Sequence, residues 1–181
     1  MAEVIKVPPV KLLVAALYVE SKKLQAAQEL LCQEFGPIDF TSSPYPFVAA
    51  YYYAPEMGEP INRILFSFEN LIDASELARV KHTTNVIEKK TAIESNRCVN
   101  LDSGYLDFDK LVLASMKKGA QKIYVGSGVW ADMNLMYSKG RFQSFAWTFP
   151  DFAEGIYEKP LLRIREIYKA QWRVLAKSNE K

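Results

Sequence analysis

The run VKLLVAALY, residues 10–18, decides how the rest of the chain is interpreted. Lys11 precedes the apolar run Leu12 to Val19, whose eight residues are too few to cross a bilayer. A polar stretch and a helical pattern follow, and no Ala-x-Ala pattern marks a signal-peptide cleavage site. We therefore expect this run to be the buried first strand of a soluble, cytoplasmic protein without a membrane segment.

Composition is ordinary for a globular protein. The chain has 181 residues, of which 49% are hydrophobic, so we expect a single domain over 1–181. The net charge of +2 does not indicate a nucleic-acid partner. Cys32 and Cys98 are isolated and the chain has one histidine, which predicts reduced thiols and gives no zinc or haem signature.

Helical and strand patterns alternate along the first half of the chain. The first helix is expected to have Ser21 as its N-cap and to end at Gly36, and a second to begin at Asp73 with a capping box to Glu76. The strands are expected at 10–18, 47–54, 61–69, 98–102, 111–116, 122–125 and 131–137, and a last helix at 156–176. The β-α-β-β-α-β order predicts an α+β fold with a mostly antiparallel sheet, ferredoxin-like at its start and extended by extra strands and a C-terminal helix.

Several of these strands alternate between apolar and polar residues, which places the polar residues on one face of the sheet. The polar residues are Arg63, Ser67, Glu69, Asn100, Asp102, Asp132 and Asn134. Such a face is either solvated surface or a binding site in which carboxylates and amides meet a lysine such as Lys110 or Lys122.

The second helix carries a polar strip beside its apolar stripe. Lys81, Asn85 and Glu88 follow one another at i, i+4 and i+7 and share one edge of the helix. If they belong to a site, Asn85 is at least half buried and close to polar residues of the sheet. His82 lies on the opposite face, where we expect it to be exposed.

The stretch VNLDSGYLDFDK, residues 99–110, is rich in groups that bind ligands or form turns. Ser103 and Gly104 predict a turn after a strand that carries Asn100 and Asp102 on one face. The stretch is not an EF-hand loop, because glycine stands at the fifth place and not the sixth. It is either a turn or part of a binding site.

Motifs that would name a reaction are missing. No glycine begins a P-loop, Gly126-Ser127-Gly128 lacks the spacing of a nucleophile elbow, and His82 has no convincing catalytic partner. The sequence therefore leaves open whether the protein is an enzyme.

The C-terminal helix is basic. Seven basic residues stand against three acidic ones from Glu158 to Lys181, a balance of +4. The helix is either packed with a solvated basic face or contacts RNA or an anionic surface.

The chain resembles the bacterial family called domain of unknown function 4416 in blocks along nearly its whole length. The blocks are VKLLVAALY, FGPIDFTSSPYPF, YYYAPEMG, RILFSFENLI, VKHTTNVIE, VNLDSGYL, KLVLAS, KIYVGSGVWADMNLMY and WTFPDF. Some members carry the label GTP-binding protein, although this chain lacks the P-loop. Where the family usually has proline and histidine, this chain has Ser103 and Gln121. The resemblance implies that nine residues lie in recurrent polar blocks: Glu56, Glu69, Lys81, Asn85, Glu88, Asn100, Asp102, Lys110 and Asp151.

Together these patterns predict a site for a nucleotide or another phosphorylated small molecule on the polar face of the sheet. The candidate ligand-binding residues are Glu69, Lys81, Asn85, Glu88, Asn100, Asp102, Lys110, Lys122 and Asp132. Lysines would contact phosphate, and Glu69, Asp102 and Asp132 would hold Mg²⁺ or act as acid or base. The alternative is a non-enzymatic module that binds RNA or a protein through the basic C-terminal helix.

Overall fold

The computed structural model describes residues 7–47, 50–94 and 96–179, and within these ranges the chain is α+β. The strands are β1 (Val10–Tyr18), β2 (Ile38–Thr41), β3 (Tyr45–Pro46), β4 (Asn62–Ile72), β5 (Val99–Leu106), β6 (Lys110–Ser115), β7 (Ile123–Gly126), β8 (Val129–Ser138) and β9 (Arg141–Ser144). The helices are α1 (Ser21–Phe35), α2 (Ala54–Met57), α3 (Leu77–Thr91), α4 (Pro150–Ala153) and α5 (Glu158–Asn179).

The strands form one antiparallel sheet in the order β2-β4-β1-β5-β6-β8-β7, with β3 paired to β4 and β9 to β8. The first four strands of this order, with α1 and α3 on one face, have the ferredoxin-like arrangement. The predicted fold class and its antiparallel sheet are confirmed.

β1 is central because both of its faces are covered. All nine of its residues are buried. Leu12 and Val14 pack in the cluster that includes α1 and α3, whereas Leu13 and Ala15 pack in the cluster that includes α5. A continuous apolar run is what a strand between two helical layers requires. The prediction of a buried first strand is confirmed.

Local signals placed the ends of α1 and α3 well. Gly36 follows α1 with φ of 90°, a conformation that favours glycine. The Asp73 side chain accepts a hydrogen bond from the Ser75 N–H at 2.8 Å, and Glu76 completes the predicted capping box. The prediction of Ser21 as the N-cap of α1 is wrong, because Glu20 stands at that position and Ser21 is the first helical residue. No side chain forms a capping hydrogen bond at this end of α1.

The strand predicted over 47–54 is wrong for the residues that the structure describes. Residues 50–52 form a 3-10 turn that leads into α2, and residues 48 and 49 lie outside the described ranges. The tyrosines favour a strand by propensity, but Phe47 and Met57 pack in one apolar cluster, which requires the chain between them to curl.

The turn predicted at Ser103 and Gly104 is also wrong, because β5 continues through both residues to Leu106. Gly104 has no side chain, which allows β5 to lie close to β6 at this point. A Cβ there would lie 2.1 Å from the Val112 carbonyl oxygen on β6. The same glycine that suggests a turn therefore allows β5 and β6 to pair.

The polar face of the sheet is largely buried. Arg63, Ser67, Asn100, Asp132 and Asn134 are each at most 5% exposed. Solvated surface is therefore the wrong interpretation of this alternation for these five residues. Among the described helices, none combines the length and apolarity that a membrane span requires.

Candidate functional site

A cleft of about 540 Å³ lies where β5 and β6 diverge. The two strands pair only from Gly104 to Leu106 on the β5 side. From Val99 to Ser103, β5 pairs with β1 alone, while Ala114 and Ser115 of β6 pair only with β8. The sheet is thus open between its central strands, and the cleft has the volume of a small-molecule site.

Side chains of α3 take the place of the missing strand partner. Glu88 accepts a hydrogen bond from the Leu101 N–H at 2.6 Å, and Lys81 Nζ donates to the Leu101 carbonyl at 3.1 Å. Burial raises the pKa of the Glu88 carboxyl. These two side chains therefore satisfy the open edge of β5 and line the cleft at the same time.

A chain of polar contacts runs along the β5 side of the cleft. Asn100 Nδ2 donates to Asp102 Oδ1 at 3.0 Å, and Arg97 Nη1 donates to Asn100 Oδ1 at 2.8 Å. Arg97 also holds Glu56 with two hydrogen bonds of 2.8 and 2.7 Å. The hydrogen bonds from Arg97 lower the pKa of Glu56. This network fixes the direction of the Asn100 and Asp102 side chains.

Arg63 is a buried cation that contacts Asp102 of this network and Asp151. It is 3% exposed, donates from Nη1 to Asp102 Oδ2 at 3.0 Å, and lies over the ring of Phe47 at 5.0 Å. Asp151 Oδ2 is 3.0 Å from Nε, an ion pair in which the N–H is not aligned with the oxygen. Burial lowers the pKa of Arg63, but the attraction of Asp102 and Asp151 outweighs it and the net shift is upward.

The opposite wall of the cleft comes from β6, β8 and the loop between β6 and β7. Lys122 Nζ donates to Ser115 Oγ at 2.9 Å and lies 3.4 Å from Asp132 Oδ2. Asp132 is 4% exposed, and its Oδ1 has no hydrogen-bond partner within the described part of the chain. This wall therefore contains one ion pair and one buried acceptor without a partner among the described residues.

Aromatic and sulfur-containing side chains form the rim. Tyr52, Tyr53, Met116 and Phe149 line the cleft. Lys117 Nζ donates to the Tyr52 hydroxyl at 3.0 Å, which lowers the pKa of Tyr52. Burial, with a smaller contribution from the Asp102 charge, raises the pKa of Tyr53 to about 12. Tyr53 is therefore a neutral hydrogen-bonding group at neutral pH.

Most of the predicted site residues come together in this cleft. Its lining includes Lys81, Asn85, Glu88, Asn100, Asp102, Lys122 and Asp132. Asn85 is largely buried, and its Nδ2 donates to Met116 Sδ at 2.7 Å. The helix strip and the strand carboxylates thus share one cavity, as the spacing of Lys81, Asn85 and Glu88 predicts.

Glu69 and Lys110 do not join them. Glu69 is exposed on β4, which β1 separates from β5, and its carbonyl accepts a hydrogen bond from Gln171 at 2.7 Å. Lys110 forms a salt bridge with Asp107 at the other end of β6 from the cleft. Neither residue lines the cleft, so the prediction that all nine candidates converge is wrong for these two.

Eight other residues with polar, aromatic or sulfur-containing side chains line the cleft but were not among the predicted site residues. They are Tyr52, Tyr53, Lys89, Arg97, Ser115, Met116, Lys117 and Phe149. Most of them lie in loops or at strand ends, where neither helical nor strand periodicity applies. The family blocks quoted above contain four of them, Tyr52, Tyr53, Ser115 and Phe149, and were the available hint.

The cleft is cationic. Its lining has the cationic side chains of Lys81, Lys89, Arg97, Lys117 and Lys122, against the carboxylates of Glu88, Asp102 and Asp132, a balance of +2. Among the residues described, Lys81, Lys89 and Lys117 form no salt bridge. Cationic groups without acidic partners in a concave surface attract anions.

Metal ligands do not cluster in the described residues. No group of three or more histidine, cysteine, aspartate or glutamate side chains in these ranges is arranged to hold a metal ion. Asp102 has both oxygens engaged by Arg63 and Asn100.

Comparison with known families gives one match. The family model described as "Domain of unknown function (DUF4416)" matches residues 8–168, which is most of the chain, and the protein belongs to this family. The searches of curated proteins and of solved structures each returned no significant match.

Proposed function

We propose that this member of the DUF4416 family binds a small phosphorylated molecule with an aromatic ring, of the nucleotide class, in the cleft between β5 and β6. The observation that carries the proposal is the convergence of Lys81, Lys89 and Lys117, none with a salt-bridge partner in the described ranges, beside the aromatic rim. We also propose that it works in the cytoplasm, where the free thiols of Cys32 and Cys98 stay reduced.

The lysines fit a phosphate group. A phosphate monoester carries close to two negative charges and accepts several charge-assisted hydrogen bonds. Lys81 comes from a packed helix and Lys117 from the loop after β6, so the two approach the cleft from different elements. A phosphate between such lysines would replace the contact between Lys117 and the Tyr52 hydroxyl.

The rim fits a ring. Tyr52 is 62% exposed and Phe149 is 43% exposed, although both line the cleft. Exposed aromatic rings at a cleft are suited to stacking, which contributes about 1–3 kcal/mol for a nucleic-acid base. Phosphate and ring contacts together support a nucleotide over a simple inorganic anion.

The geometry supports binding, because two of the three carboxylates in the cleft hold parts of the fold together. Glu69, Asp102 and Asp132 are the strand carboxylates that the sequence predicts as acid or base. Glu69 does not line the cleft, and Arg63 and Asn100 occupy both oxygens of Asp102. Glu88 accepts the Leu101 N–H through Oε1. Asp102 and Glu88 are thus engaged in structural hydrogen bonds.

Calorimetric titration with AMP and with adenosine tests the proposal. We expect AMP to bind at least about tenfold more tightly than adenosine, because charge-assisted hydrogen bonds contribute most of the affinity. The double variant Lys81→Met/Lys117→Met should lose a similar factor. Lys159→Met is the matched control, because Lys159 is exposed on α5 and does not line the cleft.

Two outcomes would overturn the proposal. One is equal affinity for AMP and adenosine, and the other is an equal loss in the double variant and in the control.

The alternative function, RNA binding by the basic C-terminal helix, makes a different prediction. It requires a short RNA to bind the wild type and the double variant equally, and to lose affinity in Arg173→Met/Lys177→Met.

A further inference from the structure

Asp132 has a buried carboxylate of which one oxygen is unused. Its side chain is 5% exposed and lines the cleft, and Oδ1 has no hydrogen-bond partner in the described ranges. Oδ1 is itself buried, and buried polar atoms in native proteins are nearly always paired. This oxygen beside the cleft therefore calls for a donor that the described residues do not supply.

The neighbouring side chains do not supply that donor. Lys122 lies 3.4 Å from the other oxygen of Asp132 and donates to Ser115 Oγ. The Ser115 hydroxyl donates to the Lys117 carbonyl at 3.2 Å. Leu113, which faces Asp132 across the β6–β8 pair, has no polar side-chain atom. Asp132 therefore differs from Asp102, whose two oxygens are both satisfied.

The charge beside Asp132 selects the kind of donor. A cationic amine would be repelled by the Lys122 ammonium, which lies within salt-bridge distance of the same carboxylate. A hydroxyl group is neutral, donates one hydrogen bond and accepts others. It can donate to Asp132 Oδ1 and accept from Lys122 at the same time.

We propose that Asp132 accepts a hydrogen bond from a sugar hydroxyl of the bound ligand, and that the cleft thereby selects a hydroxylated sugar phosphate. This inference rests on the proposed function, because the phosphate-binding lysines bring the ligand into the cleft. Lys122 and Asp132 then form a donor and acceptor pair for the sugar, while Lys81 and Lys117 bind the phosphate.

The test compares AMP with 2′,3′-dideoxy-AMP, which has the same base and phosphate but lacks both ribose hydroxyls. For the wild-type protein, calorimetry should show AMP binding about tenfold or more tightly, the effect of one hydrogen bond to a charged group. Equal binding of the two nucleotides would overturn this inference and leave the proposed function intact. Failure of both to bind would overturn the proposed function, and this inference with it.

Asp132→Asn tests the residue itself. Lys122 can only donate, so it should pair with the amide oxygen and leave the amide NH₂ facing the hydroxyl. The hydroxyl can then only accept from a neutral amide, which is a weaker bond than donation to a carboxylate. We expect the variant's preference for AMP over dideoxy-AMP to fall well below that of the wild type. Asp109→Asn is the control, because Asp109 is exposed and does not line the cleft. An Asp132→Asn protein that still prefers AMP as the wild type does would overturn the assignment, and the wild-type comparison remains decisive if the variant does not fold.

Discussion

Replacing Arg63 by methionine should destabilise the fold strongly. Methionine keeps the length and much of the volume of the side chain but removes its charge. Asp102 and Asp151 would then lose the cation that both of them contact at 3.0 Å. The side chains of these two aspartates are only 25% and 12% exposed, so water replaces little of the lost interaction.

The expected loss can be bounded from the contacts. Removing one partner of a buried ion pair costs about 3–5 kcal/mol, because the remaining charge is left uncompensated. Asp102 keeps its hydrogen bond from Asn100, and Asp151 keeps the one from the Tyr157 hydroxyl at 2.9 Å. These remaining bonds place the expected loss near the lower end, at about 3 kcal/mol.

Urea unfolding at pH 7 measures this loss. The control is the triple variant Arg63→Met/Asp102→Asn/Asp151→Asn, which removes both stranded charges and should recover most of the stability. An Arg63→Met protein within about 0.5 kcal/mol of wild type, the range of ordinary surface substitutions, would refute the reasoning. A triple variant no more stable than the single one would show that the loss comes from packing and not from charge.

Two further substitutions test the elements that shape the cleft. Glu88→Gln should raise the unfolding free energy at pH 7 and much less at pH 4. Burial raises the pKa of folded Glu88 above the ordinary 4.5, so its stabilising contribution is present below that value and is lost as pH rises through the folded pKa. Denaturant titrations at the two pH values measure this. An equal gain in unfolding free energy at pH 7 and pH 4 would contradict the raised pKa of Glu88. Gly104→Ala should cost about 1–3 kcal/mol in thermal or urea unfolding, because the new Cβ would meet the Val112 carbonyl oxygen at 2.1 Å. Unchanged stability would show that β5 and β6 can separate at this point without cost.

The parts of the fold that the sequence predicted well have strong local periodicity or local caps. β1 was evident because eight of its nine residues are apolar, Lys11 being the exception, and α3 because Asp73 and Glu76 form a capping box. The shared edge of Lys81, Asn85 and Glu88 follows from helix geometry alone. These features depend on neighbours within a few residues.

The parts that were missed depend on long-range contacts. Alternation on β4, β5 and β8 is the same whether the polar face is solvated or covered, and the chain that covers it, including Asp151 and Tyr157, comes much later. The opening between β5 and β6 depends on where strand pairing stops, which no local pattern encodes. Arg97 was not predicted as a site residue, because its place in the cleft depends on hydrogen bonds to Glu56 and Asn100, which lie on other elements.

The central claim is that the cleft between β5 and β6 binds a nucleotide, and amide NMR of the ¹⁵N-labelled protein during titration with AMP tests it most directly. We predict saturable shifts for the amides of Tyr52, Leu101 and Ser115, which line or border the cleft. The amides of Arg173 and Lys177 on α5 should stay unchanged. Saturable shifts confined to α5, or no saturable shift at any cleft amide, would contradict the claim.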